Sequence, residues 1–374
     1  METVSVVFCF NDSYCIYSVA AISSLIKHTS EKYKYDINIL HYDITEYNQS
    51  VIKNLNNKKN VNINFTFFDP NSVVGEERLH TWAHFSVDVY TRLFLHKIFP
   101  DLDKILFLDA DIIITADIAN LFNEDINGYS IGACRNYEGY DAIDWVKKLK
   151  ISRPLFKSYV NVYNYFTNFL KLSDADIESY FNAGVMLIDL KRASKLLELV
   201  PKMMDTAYLY NDQDILNSLF KTEKLILDSK YNTAANFVSV YLAENKRLPD
   251  IIHFTYTKPT KTMKRVSDNE YWKTISQTDF YYPALEQFVV NKVQQNFDGR
   301  LNEIKEILSS PGALEDLYYN LRRTHRMHSR RKYLRGIIKL LVDSKRYRKL
   351  KRDPERFFAD SKSSFIRFLG KYYI

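Results

Sequence analysis

The sequence predicts an α/β fold built on a mainly parallel sheet covered by helices, and three observations carry that prediction. Apolar segments of strand length alternate with helical patterns through about residue 275. The longest apolar run, Lys104 to Ile114, is too continuous for a half-exposed strand and reads as a buried one. No apolar stretch approaches the roughly 18 to 20 residues needed to cross a bilayer.

The elements follow in order. Val4 to Phe10 reads as the first strand, followed by a turn at Asn11-Asp12-Ser13-Tyr14 and a helix from Tyr17 to Lys27 with apolar residues at helical spacing. Tyr35 to Tyr42 and Val61 to Phe68 read as strands, with a polar helix from Asn48 to Asn57 between them. Pro100-Asp101 closes a helix from Val89 to Phe99 and leads into the acidic run. Tyr129 to Cys134 and Ala183 to Leu190 are further strands, Asn211 to Asn217 opens an amphipathic helix, and a short strand from Asp250 ends at His253. Beyond Ser276 the strand signals thin, and polar helical patterns such as Arg300 to Leu308 take over. The expected organisation is therefore a first domain over residues 1–275 and a mostly helical, basic region over residues 276–374.

Composition narrows the class. At 374 residues with 46% hydrophobic and 15% aromatic side chains, the chain has material for a large core and is not disordered. The three cysteines, Cys9, Cys15 and Cys134, have neither metal-ligand spacing nor the density of a disulfide scaffold, which points to a reducing, cytoplasmic setting. The net charge of +7 is unevenly spread. Residues 321–374 hold 18 Lys and Arg against 4 Asp and Glu, leaving the remainder net acidic. Runs such as Lys345 to Arg352 interleave cations with Tyr and Leu, a composition suited to an anionic surface such as the inner face of the cell membrane.

Lys104 to Ile114 poses the central problem. Two carboxylates, Asp109 and Asp111, interrupt an otherwise buried strand, and such charges require a cationic partner. An Asp-x-Asp pair can aim both side chains at one hard divalent ion, which in turn can hold the phosphates of a nucleotide. His253 adds a nitrogen donor, which tips the choice from Mg²⁺ toward Mn²⁺, and Lys258 can neutralise a diphosphate as a point charge.

Four motifs, Phe107-Leu108-Asp109-Ala110-Asp111, Phe181-Asn182-Ala183-Gly184-Val185, Asp212-Gln213-Asp214-Ile215-Leu216-Asn217 and His253 through Lys258-Pro259, occur in the order seen in glycosyltransferase family 8. The resemblance covers roughly residues 3 to 262. It implies a GT-A fold, a Rossmann-like nucleotide-sugar-binding domain, and retaining, Mn²⁺-dependent transfer from UDP-glucose or UDP-galactose to a glycan acceptor in lipopolysaccharide, surface polysaccharide or glycoprotein synthesis. It implies that Asp109, Asp111 and His253 ligate the metal. Asn11 and Ser13 fall where relatives contact uridine, Arg92 near the donor phosphates and Lys258 at the diphosphate, with Ala110 also among the donor contacts. Asn182, Asp212 and Gln213 match residues lining the donor sugar, and Asn136 stands where some relatives carry an acid touching it. The chain departs from the family's His-x-x-Gly-x-x-Lys-Pro-Trp pattern, since Lys258 falls one residue early, Tyr256 replaces the glycine and Thr260 the tryptophan.

Two other classes compete. A phosphatase of the haloacid dehalogenase type also places Asp-x-Asp after a strand, but it requires Thr or Val two residues beyond the second Asp, where this chain has Ile113. A nucleic-acid-binding protein accounts for the basic tail and leaves the acidic first domain unexplained, so no nucleic-acid partner is expected.

Overall fold

The computed structural model describes residues 1–74, 87–136, 141–151, 159–292 and 294–295. The chain divides into two compact units, Met1–Val293 and Gln294–Ile374. The basic runs and the helical pattern at Arg300 to Leu308 lie outside the described residues.

The first unit is built on a seven-stranded sheet. Its strands are β1 (Thr3–Cys9), β2 (Lys34–His41), β3 (Val61–Phe67), β4 (Lys104–Leu108), β6 (Ile131–Arg135), β7 (Phe181–Asp189) and β8 (Lys224–Ile226). Their order across the sheet is β8-β6-β7-β4-β1-β2-β3. All pairs are parallel except those of β7, which runs antiparallel to both β4 and β6. The sheet is thus mainly parallel and mixed, as expected from the sequence. The reversed strand has a functional consequence: its first residues lie at the end of the sheet where β4 and β6 finish.

Helices α1 (Cys15–His28) and α2 (Glu46–Asn54) connect the first three strands, as parallel pairing requires. The core lies on both faces of the sheet. Val4, Val6 and Phe8 of β1 point to one side with Leu106 and Leu108, while Val7 points to the other with Phe107 and Met186. Central strands buried on both faces read as unbroken apolar runs, which is why β1, β4 and β7 were legible.

The sequence reading of Lys104 to Ile114 as one strand is corrected. The run breaks after Leu108, and Ile112–Ile114 forms β5 in a separate three-stranded sheet with β9 (Thr233–Ala234) and β10 (Ile251–His253). Both halves are apolar because both are buried, so hydropathy alone cannot show the break. The helix expected over Val89 to Phe99 is likewise divided into a 3₁₀ segment, Val87–Phe94, and a single α-turn, Leu95–Ile98.

Candidate active site

Asp109, Ala110 and Asp111 are the corner at which the chain leaves the large sheet for the small one. The Asp109 N–H donates to the Gly184 carbonyl of β7 at 2.7 Å, closing the last link of the β4–β7 ladder. On the other side β10 runs antiparallel to β5 with His253 opposite Ile112, and the Phe254 N–H donates to the Asp111 carbonyl at 2.9 Å. This register carries the imidazole to the carboxylates across 142 positions of sequence. One donor atom each from Asp109, Asp111 and His253 lies within 4.8 Å of the others. His253 Nε2 is 3.5 Å from Asp109 Oδ2 and 3.5 Å from Asp111 Oδ1.

Two carboxylate oxygens and an imidazole nitrogen suit Mn²⁺ or Mg²⁺. Gly184 gives an independent sign of the same fit. A Cβ there would lie 2.5 Å from Asp109 Oδ2 and would also collide with the His253 ring, so only glycine leaves the ligands their room. An isolated glycine inside a strand pattern is the sequence signal that marks such a close approach.

Two cations brace the corner. Lys258 is ion-paired with Asp111. Burial raises the Asp111 carboxyl, but its ion pair with Lys258 outweighs it and holds the group well below the usual carboxylate range. Burial likewise disfavours the Lys258 charge, and Asp111 more than offsets it. Arg92, expected near the donor phosphates, is buried and donates to protein acceptors. Its Nη2 reaches Asp109 Oδ1 at 2.8 Å, its Nη1 the Ala183 carbonyl at 2.6 Å, and its Nε lies 3.1 Å from Asp212 Oδ2. The guanidinium also stacks over Phe107, 4.5 Å from the ring centre. Arg92 is thus a strut between two acidic side chains.

Helix α3 (Asp212–Leu219) is fastened to the start of β7. The Phe181 N–H donates to Asn217 Oδ1 at 2.9 Å, and Asn217 Nδ2 donates to the Phe181 carbonyl at 3.0 Å, so an amide side chain imitates a neighbouring strand. Gln213 Oε1 accepts from the Ala183 N–H at 3.1 Å. Burial pushes Asp212 up to about 7 against the opposing pull of Arg92. Asp214, used in the sequence only as part of a motif, is fully buried and accepts from Tyr180 Oη at 2.6 Å, Tyr165 Oη at 2.7 Å and the Tyr210 N–H at 2.8 Å. Burial lifts it to about 6. Asn211, which precedes the helix, is buried at φ 49° and ψ −126°, a conformation costly for a non-glycine residue.

Asn182 joins this cluster by donating to Asn136 Oδ1 at 3.3 Å. Asn11 and Ser13 lie beyond the end of β1, next to β4 in the sheet, where Ser13 Oγ donates to Asn11 Oδ1 at 2.6 Å. Their turn is held to the loop after β2 by Asp12, whose Oδ1 accepts from Thr45 N–H and Asn48 Nδ2. Tyr14 follows, with its ring 5.6 Å from Lys258 Nζ. A cleft of about 640 Å³ opens from Asn136, Asn182 and Asn232 toward Tyr241, Arg247 and Tyr256. A second, of about 830 Å³, lies at the opposite end of β4 around Lys104 and Asp189 and contains none of these residues. Sequence reasoning missed Asn232, which contacts His253.

An acidic corner with a nitrogen donor, at the carboxyl ends of β4 and its parallel neighbours, defines the nucleotide-sugar-binding class of α/β folds known as GT-A. The particular family follows from comparison: residues 5–263 match the family described as glycosyl transferase family 8, and the chain belongs to it. Glycosyltransferase GlyF of Streptococcus pneumoniae is 27% identical over 232 residues, which span 59% of this chain and 49% of that one. Lipopolysaccharide 1,2-glucosyltransferase of Escherichia coli is 30% identical over 177 residues, spanning 46% of this chain and 43% of that one. The chain therefore spans about half the length, or less, of these two relatives. Among solved structures, that of the bifunctional glycosyltransferase WbbM superimposes with a TM-score of 0.65 at 24% identity, covering 76% of this chain and 52% of that one. The fold agrees. Among the described residues, no helix is long and apolar enough to cross a membrane.

Proposed function

We propose that the chain is a retaining, Mn²⁺-dependent hexosyltransferase that moves glucose or galactose from UDP to a hydroxyl of a bacterial surface glycan. The observation that carries this reading is the convergence of Asp109, Asp111 and His253 from two sheets onto one point beside Lys258. A divalent cation held by those three residues would supply Lewis-acid stabilisation of the departing diphosphate. Lys258 adds positive charge on the leaving-group side, and Asn11 and Ser13 are the proposed contacts of the uridine.

Asp212 and Asn182 orient sugar hydroxyls in this reading. Gln213 is an amide and a poor nucleophile, and its carbonyl already accepts from Ala183, so a covalent sugar–enzyme intermediate at this residue is disfavoured. The acceptor hydroxyl therefore attacks the anomeric carbon from the face that UDP leaves. The new C–O bond forms as the sugar–phosphate bond breaks, and the hydroxyl proton passes to a phosphate oxygen of UDP. The cleft shared by Asn136 and Asn182 is the proposed entry of the acceptor, whether lipid-linked, lipopolysaccharide or glycoprotein.

Measuring UDP release from a panel of UDP-sugars, with and without Mn²⁺, tests the reading. Metal-dependent hydrolysis of UDP-glucose or UDP-galactose is expected, and release indifferent to Mn²⁺ would sink it. In the same assay Gln213→Ala should slow turnover while sparing UDP binding; an unaffected rate removes Gln213 from catalysis.

The 18 basic residues within 321–374 support peripheral attachment to an anionic membrane surface. Binding of the full chain to vesicles containing anionic lipid should weaken steeply with salt, and absence of binding at low salt would count against attachment.

A further inference from the structure

We propose that Asn232 is a positioning residue that fixes the proton of His253 on Nδ1 and so presents the Nε2 lone pair to the metal. The inference rests on reading Asp109, Asp111 and His253 as ligands. One group in this cluster has a hydrogen-bonding role without alternative, the backbone N–H of Gly184.

That N–H can only donate, and its acceptor at 3.0 Å is the side-chain oxygen of Asn182. The orientation of the Asn182 amide is therefore set, and its NH₂ faces Asn136 Oδ1 at 3.3 Å. The same Asn182 oxygen receives a second donor, Asn232 Nδ2, at 3.0 Å. Asn232 is now also set. Turning its amide over would put two carbonyl oxygens face to face, so its Oδ1 must point the other way, toward His253 Nδ1 at 2.8 Å. A carbonyl oxygen only accepts, and the ring nitrogen opposite it must carry the hydrogen. In a neutral imidazole the lone pair is then on Nε2, the atom that faces Asp109 and Asp111.

The backbone around Asn232 is equally constrained. Asn232 is 7% exposed and His253 2%. β9 begins one residue after Asn232 and pairs in parallel with β10, placing Ala234 beside His253, while the Ala235 N–H donates to the His253 carbonyl at 2.7 Å. A chain of three amides thus transmits the strand geometry of β7 to an imidazole on β10. Metal-bound histidines commonly donate their second N–H to an oxygen that sets ring and tautomer, and loss of that partner typically lowers metal affinity about 10- to 100-fold.

The test uses the full chain, ¹⁵N-labelled in its imidazoles and free of metal. The His253 signal among the eight histidines is identified by its loss in His253→Gln. Wild type and Asn232→Asp, which keeps an acceptor opposite Nδ1 while giving up the donor to Asn182, are expected to show the Nδ1–H tautomer, whereas Asn232→Ala shows a mixture. Mn²⁺ titrated in the presence of UDP and followed by electron paramagnetic resonance should bind roughly 10- to 100-fold more weakly to Asn232→Ala, and less than tenfold more weakly to Asn232→Asp. An unchanged tautomer in Asn232→Ala overturns the proposal, as does an equal loss of Mn²⁺ affinity in both variants. Failure of the wild type to bind Mn²⁺ overturns the underlying metal reading instead, and the tautomer measured without metal separates the two.

Discussion

Gly184→Ala is expected to abolish Mn²⁺ binding and to lower sugar transfer by roughly a thousandfold, equivalent to about 4 kcal/mol of transition-state stabilisation. The added methyl would lie 2.5 Å from Asp109 Oδ2 and would intrude on the His253 ring. Neither neighbour can step aside. Asp109 is tied through its other oxygen to Arg92 at 2.8 Å, and His253 is buried and tied to Asn232 at 2.8 Å. The backbone itself accepts alanine, because the positive-φ glycine among the described residues is Gly128 and not Gly184. The clash should cost about 1 to 3 kcal/mol of stability, while the Mn²⁺ dissociation constant rises more than about 100-fold. Thermal or urea unfolding checks the stability and calorimetric titration the affinity, and near-normal Mn²⁺ affinity would show that the ligands lie elsewhere.

Arg92→Ala is expected to destabilise the fold by about 3 to 5 kcal/mol, the range for removing one partner of a buried ion pair. Asp109 and Asp212 lose the cation between them, and the Ala183 carbonyl loses its donor. Arg92→Lys should recover little, since an ammonium cannot serve three acceptors held apart by a planar fork. A pH dependence comes with the change. Asp212 at about 7 and Asp214 at about 6 keep protons in the folded chain that the unfolded chain releases near pH 4. The native state then binds more protons, so these groups contribute stability at low pH that is lost as pH rises from about 4 to 7. Without Arg92 the Asp212 carboxyl rises further, and the decline should extend above pH 7. Urea unfolding across pH 5 to 9 measures both the loss and the slope, and coincident curves for wild type and variant would refute the strut.

The parts legible in the sequence were those whose cause is local. Apolar runs announced β1, β4 and β7 because these strands are covered on both faces, and Asp109 with Asp111 announced a charge that needed a partner. Contacts between distant elements were legible only where the family motifs supplied them, as for His253 and Lys258 beside Asp111. Arg92 carries no mark of its protein partners, because they depend on the placement of Asp212 at the start of α3. Asn232 sits in Lys230-Tyr231-Asn232-Thr233, a stretch without pattern, and acquires its role only through the β9–β10 register. The apolar run from Lys104 to Ile114 misled because two buried strands in succession look like one.

The corner between the two sheets also says when this site can exist. Asp111 and Lys258 are 147 positions apart, and Tyr17 and Thr260, hydrogen-bonded at 2.8 Å, are 243 apart. Contacts of such sequence separation close late, after the loop entropy between them has been overcome. A chain emerging from the ribosome therefore has its first strands and even its carboxylates long before it has a binding site. Ligand binding is then a report on completed topology, and a growing chain is silent toward its donor until the strand that bears His253 has arrived.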